Sequence, residues 1–237
     1  RTRSSADSAI ACRDAQMVSC CRCFLFTPVT IFAPVLQSLG YAVAVAVLVG
    51  LEGLRPSWPF LHRYYARYLD PAKDGRNGKR NGNGGASAII ISHTALILGC
   101  AMPLWCYQMA DARLAPIVPF GGIIVLGVGD ALGAVVGKWY GRNAWTSWLG
   151  NLPKQNRRTL EGSLAMWIGQ IVFVALLAVW GIPVECIVIG PTILFATLVE
   201  AWTSQMDNLL LPLAVTAFYG LLEQVVDIVS PSHKHVQ

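Results

Sequence analysis

Six segments of the chain are each long and apolar enough to cross a lipid bilayer. A helix that spans the hydrocarbon core needs roughly 20 mainly apolar residues. Inside a bilayer the backbone polar groups have no water to bind, so segments of this length span it as helices. We therefore predict an all-α fold, a polytopic integral membrane helical bundle with about six transmembrane helices, at residues 24–51, 86–110, 115–137, 163–182, 184–203 and 209–229.

The composition agrees with a membrane protein and argues against a nucleic-acid-binding one. Only 13% of the 237 residues are charged, whereas soluble domains carry about 25%. The net charge is +5, and the cationic residues cluster in two loops, within residues 55–80 and 138–158. Because these loops have no soluble basic domain to carry them, we expect no nucleic-acid partner.

The predicted spans form one transmembrane domain, residues 24–230, behind a polar leader of residues 1–23 that we predict to be disordered. Residues 70–85, "DPAKDGRNGKRNGNGG", are rich in glycine, asparagine and charge. They leave nothing to bury, which predicts a flexible loop. The sequence begins with Arg1 rather than Met, so we expect it to be a fragment.

The positive charges also predict the orientation of the bundle. Two predicted spans separate loop 52–85 from loop 138–162, so both loops fall on the same side of the membrane. Lysine and arginine are enriched in cytoplasmic loops. The two loops are therefore predicted to face the cytoplasm.

Four acidic residues fall at the same level of this topology. Asp130 and Glu200 lie near the cytoplasmic ends of the third and fifth spans, and Glu161 and Asp207 directly precede the fourth and sixth. A charged side chain at bilayer depth costs several kcal/mol, so such residues usually face the interior of a bundle or a polar cavity. We expect the four carboxylates to share one polar site.

Carboxylates beside a basic loop suit a site for a nucleotide and a metal ion. Magnesium binds one or two carboxylates, and phosphate oxygens and water complete its shell. Arginine is a forked, permanently charged donor for phosphate, so Lys154, Arg157 and Arg158 are candidates to bind the polyphosphate. The alternative is structural: Glu161 caps the fourth helix, and the arginines lie among lipid headgroups.

Four glycines in "GVGDALGAVVGKWYG" recur at every fourth position: Gly129, Gly133, Gly137 and Gly141. This spacing places them on one face of a helix. Faces of small residues let membrane helices pack closely. The same face also lets a phosphate or a lipid tail approach the backbone, and both interpretations remain open. The segment is not a Walker loop, because it has no GxxxxGK[ST] and no strand precedes it.

Taken together, these motifs resemble those of the dolichol kinase (polyprenol kinase) family. The resemblance covers residues 35–225 in the family's order, and it is specific only in combination. It rests on five stretches: "EGLRPSWPFLHRYYARYLD", "SHTALILGCAMPLWC", "GVGDALGAVVGKWYG", "RRTLEGS" and "LVEAWTSQMDNLLLPL".

The resemblance implies an endoplasmic-reticulum membrane enzyme that uses CTP and a divalent cation such as Mg²⁺ to phosphorylate dolichol. The product, dolichyl phosphate, is the lipid carrier for protein glycosylation. The family's nucleotide site would correspond here to Asp130, Gly133, Gly137, Gly141, Arg157, Arg158, Thr159, Glu161 and Gly162, with residues 138–162 as the nucleotide-binding loop.

A mechanism follows as a hypothesis. Asp130, with Asp207 or Glu200, would hold Mg²⁺ on the CTP phosphates. Lys154, Arg157 and Arg158 would bind those phosphates, and Asp130 or Glu161 would orient the dolichol hydroxyl. Phosphoryl transfer needs this alignment and neutralisation of charge.

The sequence departs from the family pattern in three places. Arg157 and Arg158 stand where the family usually has two lysines, which keeps the charge but changes its geometry. The loop between Trp145 and Arg157 is longer than usual, and the family's further N-terminal spans are absent, so we expect a C-terminal half. Alternatives are a phytol or farnesol kinase, a CTP-using cytidylyltransferase, and a non-enzymatic membrane scaffold or transporter.

Overall fold

The computed structural model describes residues 27–54, 57–58, 60, 91–110, 114–146, 158–203 and 207–229, and within them it leaves out the side chains of residues 91–93 and 207. The predicted leader, residues 1–23, and the predicted flexible loop, residues 70–85, lie outside the described residues. The same is true of most of the loop predicted to bind the nucleotide.

Six helices make up the described chain, and a short helical stretch at residues 27–32 precedes the first. The described residues contain no strand beyond one isolated β-bridge, which confirms the all-α prediction. The helices are α1 (Pro34–Leu54), α2 (Ile91–Met109), α3 (Val118–Tyr140), α4 (Leu160–Val179), α5 (Cys186–Trp202) and α6 (Asp207–Val229).

The lengths and composition of these helices are those of a membrane bundle. α1, α3, α4 and residues Asn208–Val229 of α6 are each long and apolar enough to cross a bilayer. The apolar parts of α2 and α5, Thr94–Met109 and Cys186–Trp202, are shorter. The structure thus confirms an all-α membrane helical bundle. We call the end that carries residues 141–146 and 158–159 the loop end and the opposite end the turn end.

The outer surface of α4 shows why the bundle suits lipid. Leu164, Ile168 and Val172 are exposed, whereas the polar residues Ser163 and Gln170 are buried on the opposite face. A soluble helix has the reverse arrangement, with its polar face outward. The exposed apolar face therefore fits a hydrocarbon surround.

The first predicted span differs from the observed helix. The prediction was one helix over residues 24–51, but the helical stretch 27–32 stops at Ala33 and α1 starts at Pro34. Proline has no backbone N–H and disfavours a helical conformation in the residue before it. The break at Ala33 follows from that restriction.

A tight turn at Gly181 joins α4 to α5. Gly181 has a φ of 87°, a conformation that suits glycine because it has no Cβ. The N–H of Gly181 donates to the carbonyl of Ala178, and the N–H of Ile182 donates to that of Leu177. This is the Schellman pattern that ends many helices.

Helix α3 lies at the centre of the bundle and contacts α2, α4, α5 and α6. Residues Ile123–Asp130 within it are a π-helix, and Ile123–Gly129 are all buried. Stretches of π-helix are rare and occur frequently at functional sites. No sequence pattern predicted this stretch, which ends at Asp130.

Helices α3 and α4 run antiparallel and meet at their glycines. A Cβ on Gly162 of α4 would lie 2.8 Å from the carbonyl oxygen of Gly133 and 3.2 Å from the Cα of Gly137. Both neighbours are backbone atoms of α3. The two helices therefore approach to a distance that a side chain at 162 would prevent.

We predict that Gly162→Ala destabilises the bundle by about 1–3 kcal/mol, because the new methyl group meets backbone that cannot rotate away. The measurement is the thermal unfolding of the purified chain in detergent. Gly190→Ala on the exposed side of α5 is the control, because a Cβ there meets nothing within 4 Å. Equal stability of the two variants would contradict the close approach of α3 and α4.

Candidate active site

Arg158 brings two of the four predicted acids together at the loop end of the bundle. Its guanidinium forms an ion pair with Glu200, and its Nη1 lies 3.9 Å from Oδ1 of Asp130. The Glu200 side chain is 8% exposed, that of Arg158 21% and that of Asp130 34%. Two carboxylates on separate helices thus share one cation, in a site that is closed at Glu200 and partly open at Asp130.

Each member of this cluster is positioned by a different element. Asp130 is the last residue of the π segment in α3, and Glu200 lies near the C-terminal end of α5. Arg158 stands two residues before the first turn of α4. The cluster therefore depends on how α3, α4 and α5 pack.

Hydrogen bonds close the base of the loop that joins α3 to α4. The N–H of Trp145 donates to the carbonyl of Arg158 at 3.1 Å, and the N–H of Leu160 donates to that of Asn143 at 2.9 Å. The indole N–H of Trp145 donates to Ser163 Oγ at 2.9 Å. We call these contacts the loop clasp; they fix the backbone from which the Arg158 side chain reaches the acids.

Glu161 belongs to the loop clasp rather than to the acid pair. Its carboxylate accepts hydrogen bonds from the backbone N–H of Asn143 at 3.1 Å and from Asn143 Nδ2 at 2.8 Å. The residue that caps α4 is Thr159, whose hydroxyl accepts from the N–H of Gly162 at 3.2 Å. The observed geometry gives Glu161 a role in holding the loop base, and the catalytic role suggested for it stays a prediction.

The glycines predicted to contact nucleotide lie against α4 and its N-cap. Gly133 and Gly137 face Gly162, and a Cβ on Gly141 would lie 2.7 Å from the Thr159 hydroxyl oxygen. Gly129 packs against the side chain of Gln170. Close helix packing, one of the two interpretations left open by the spacing, is thus observed. Contact of these residues with a nucleotide stays a prediction.

Three of the predicted site residues cannot be placed. Lys154 and Arg157 lie outside the described residues, and so does the side chain of Asp207. Of the described candidates, the structure joins Asp130, Arg158 and Glu200, and it sets Glu161 apart from them.

The acid pair fits a magnesium ion that is completed by substrate. Among the described residues no group of three or more His, Cys, Asp or Glu could hold a metal ion. Magnesium, however, is usually bound by one or two carboxylates together with substrate phosphates and water. Asp130 and Glu200 supply hard oxygen donors in that number, so the donor set suits a nucleotide-bound metal better than a free one.

Sequence reasoning missed three polar residues of this region. Asn143 and Trp145 hold the loop clasp, and Gln170 is fully buried beneath the cluster. A glutamine in the middle of an apolar span was a signal available in the sequence. The hydrogen-bond partners of Asn143 and Trp145 could not be predicted from the sequence, because those partners lie on α4, beyond the intervening loop.

We predict that Arg158→Gln and Glu200→Gln each lower the melting temperature. The first leaves the buried Glu200 carboxylate without its cation, and the second leaves Arg158 with only the more distant Asp130. The double variant should lose less stability, in free energy of unfolding, than the two single variants lose together. The expected coupling energy is about 0.5–3 kcal/mol. Arg142→Gln, an exposed arginine at the other side of the loop base, is the control. Additive losses would contradict the ion pair.

Comparison with known proteins identifies relatives for most of the chain. It is 30% identical over 216 residues to the dolichol kinase EVAN of Arabidopsis thaliana, a match that covers 84% of this chain and 32% of that protein. It is 28% identical over 204 residues to the dolichol kinase of Homo sapiens, a match that covers 79% of this chain and 34% of that protein. It is 25% identical over 214 residues to the dolichol kinase sec59 of Schizosaccharomyces pombe, covering 84% and 37%.

No protein-family model matches the chain, and no solved structure is significantly similar to it. The agreement with dolichol kinases from a plant, an animal and a yeast covers about four fifths of the chain. The chain is therefore a relative of the dolichol kinases, and it spans about one third of the length of the curated relatives it matches.

Proposed function

We propose that the chain carries the catalytic site of a CTP-dependent dolichol kinase, which transfers the γ-phosphoryl group of CTP to the hydroxyl of dolichol. The observation that carries the proposal is the meeting of Asp130, Glu200 and Arg158 at one end of a membrane bundle. Its relatives bear the name dolichol kinase. The proposed setting is the endoplasmic-reticulum membrane, with the loop end facing the cytoplasm and the bundle surrounded by membrane lipids.

Asp130 and Glu200 are the proposed ligands of Mg²⁺, with Asp207 as a further candidate. When bound, the ion would neutralise charge on the phosphates. Arg158 pairs with the two acids in the free chain and offsets one of their negative charges. Its forked guanidinium also suits phosphate oxygens. We propose that Arg158, with Lys154 and Arg157, binds the phosphates once the two carboxylates bind the metal–nucleotide complex.

Asp130 is the better candidate for orienting the acceptor. Its side chain is more open than that of Glu200, whereas Glu161 already binds Asn143. In the transfer, the alcohol oxygen forms a bond to the γ-phosphorus and the bond from that phosphorus to the bridging oxygen of CDP breaks. A carboxylate at Asp130 can accept the proton that the alcohol loses.

The first test uses the purified chain in liposomes with labelled CTP or ATP and each of dolichol, phytol and farnesol. We expect CTP and dolichol to yield a phospholipid and CDP. Phosphorylation of phytol or farnesol in preference would favour the related prenol kinase, and release of pyrophosphate would favour a cytidylyltransferase. Absence of any nucleotide-dependent product would contradict an enzymatic function for this chain.

The second test asks which of the two candidate carboxylates, Asp130 or Glu161, acts on the acceptor hydroxyl. We predict that Asp130→Asn lowers kcat by at least about 100-fold, as expected on losing a group that acts on the reacting atoms. Glu161→Gln should lower kcat much less, because it loosens the loop base without removing a proposed ligand of Mg²⁺. Asp227→Asn, at the turn end of α6, is the control. Unchanged labelling of dolichol by Asp130→Asn would remove Asp130 from the mechanism.

A further inference from the structure

Gln170 is a buried amide without a hydrogen bond. Its side chain is 0% exposed, and within the described part of the chain neither Nε2 nor Oε1 has a partner. A buried polar group in this state destabilises the fold, and native proteins seldom keep one without a functional reason. The cost would be offset if a ligand supplied the missing hydrogen bond.

A partly open cavity lies beside the Gln170 side chain and is lined by residues of α3, α4, α5 and α6. Its volume is about 30 Å³, so it has room for at least one group of the size of a water molecule. The walls are mainly apolar, and those that matter here are Val125, Gln170, Thr192, Ala196, Thr216 and Tyr219.

The polar walls of the cavity are not equally available to a ligand. The hydroxyl of Thr192 donates to the carbonyl of Val188 at 2.7 Å, and that of Thr216 donates to the carbonyl of Pro212 at 2.8 Å. These donors already have partners within their own helices. The amide of Gln170, by contrast, can still both donate and accept.

The cavity lies next to the acid pair, on its membrane side. Ala196 lines the cavity, and Glu200 follows it by about one turn on α5. Val125 lines it from the same π segment that ends at Asp130. The amide of Gln170 packs against Gly129, the neighbour of Asp130. A group held by Gln170 would therefore approach the acids from the interior of the bundle rather than from the loop.

We propose that this cavity receives the hydroxyl end of a long-chain isoprenoid alcohol and that the Gln170 amide binds the hydroxyl. The inference rests on the proposed function and adds the binding place of the acceptor. Such an alcohol has one polar group at the end of an apolar chain, which matches a buried amide without a hydrogen bond beside a mainly apolar cavity. The volume admits the terminal hydroxymethyl group, and the rest of the chain lies between the helices and in lipid.

The nucleotide is a poor occupant of the same cavity. Its described walls carry no cationic side chain, and phosphates need cationic or N–H donors. A trapped water is also disfavoured, because a buried water typically makes about three hydrogen bonds and the walls are mainly apolar. The alcohol end satisfies the amide and fills the apolar space at once.

The test compares Gln170→Leu with the unmodified chain in liposomes. We expect the KM for the alcohol to rise about tenfold, the value of one hydrogen bond, while the KM for CTP stays the same. The melting temperature should stay equal or rise, because the substitution breaks no existing hydrogen bond. Thr197→Val, a buried threonine that is bonded to the carbonyl of Ile193 and lies outside the cavity, is the control.

A melting temperature that falls while the alcohol KM stays unchanged would overturn the proposal, because Gln170 would then have a structural role. An unchanged KM for the alcohol with unchanged stability would overturn it as well. Restoration of the alcohol KM by Gln170→Asn would support it, since asparagine keeps the amide.

Photolabelling tests the cavity without relying on activity. The probe is a short prenol with a diazirine on the carbon next to its hydroxymethyl group. We expect it to label residues 189–196 or 215–219, with less labelling of Gln170→Leu. If the chain phosphorylates dolichol but labelling maps elsewhere, the cavity proposal fails and the function stands. If labelling maps to the cavity and no alcohol is phosphorylated, the proposed function fails and the cavity remains a binding site for the alcohol.

Discussion

The ion pair between Arg158 and Glu200, with Asp130 beside it, is the interaction on which the rest of this account depends. Two carboxylates placed close together inside a membrane bundle repel each other and are costly to bury. The guanidinium of Arg158 lies beside both and offsets one of their two negative charges. It thereby preserves, in the free chain, a negatively charged pair that a metal–nucleotide complex can use.

Helix packing makes this ion pair possible. Gly133 and Gly137 of α3 let the first turn of α4 approach closely at Gly162. The loop clasp then fixes the residue before Thr159, so the Arg158 side chain can reach α3 and α5. The motif glycines therefore affect the site indirectly. By letting α4 pack closely against α3, they set the position of the backbone that carries Arg158.

The sequence was sufficient for the fold and for part of the site. Apolar length alone predicted the six helices. The topology also predicted that Asp130 and Glu200 would lie at one level. By contrast, the spacing of the glycines could not separate packing from ligand contact, because both need the same absence of side chains.

Other features depend on tertiary contacts that no local pattern encodes. The π segment before Asp130 had no sequence signal, and the bond between Glu161 and Asn143 joins two residues across a loop. Gln170 stood out as a polar residue in a span, but its lack of a partner is a property of the packed bundle. The break at Ala33 could have been predicted from Pro34.

The most direct test of the central claim is the binding of Mn²⁺, a paramagnetic substitute for Mg²⁺, measured by electron paramagnetic resonance with and without CTP. Because Arg158 already pairs with the acids and offsets part of their charge, we predict weak binding of the metal alone, stronger binding with CTP, and loss of that gain in Glu200→Gln. Equal binding of Mn²⁺ and CTP by the unmodified chain and by Glu200→Gln would contradict the account.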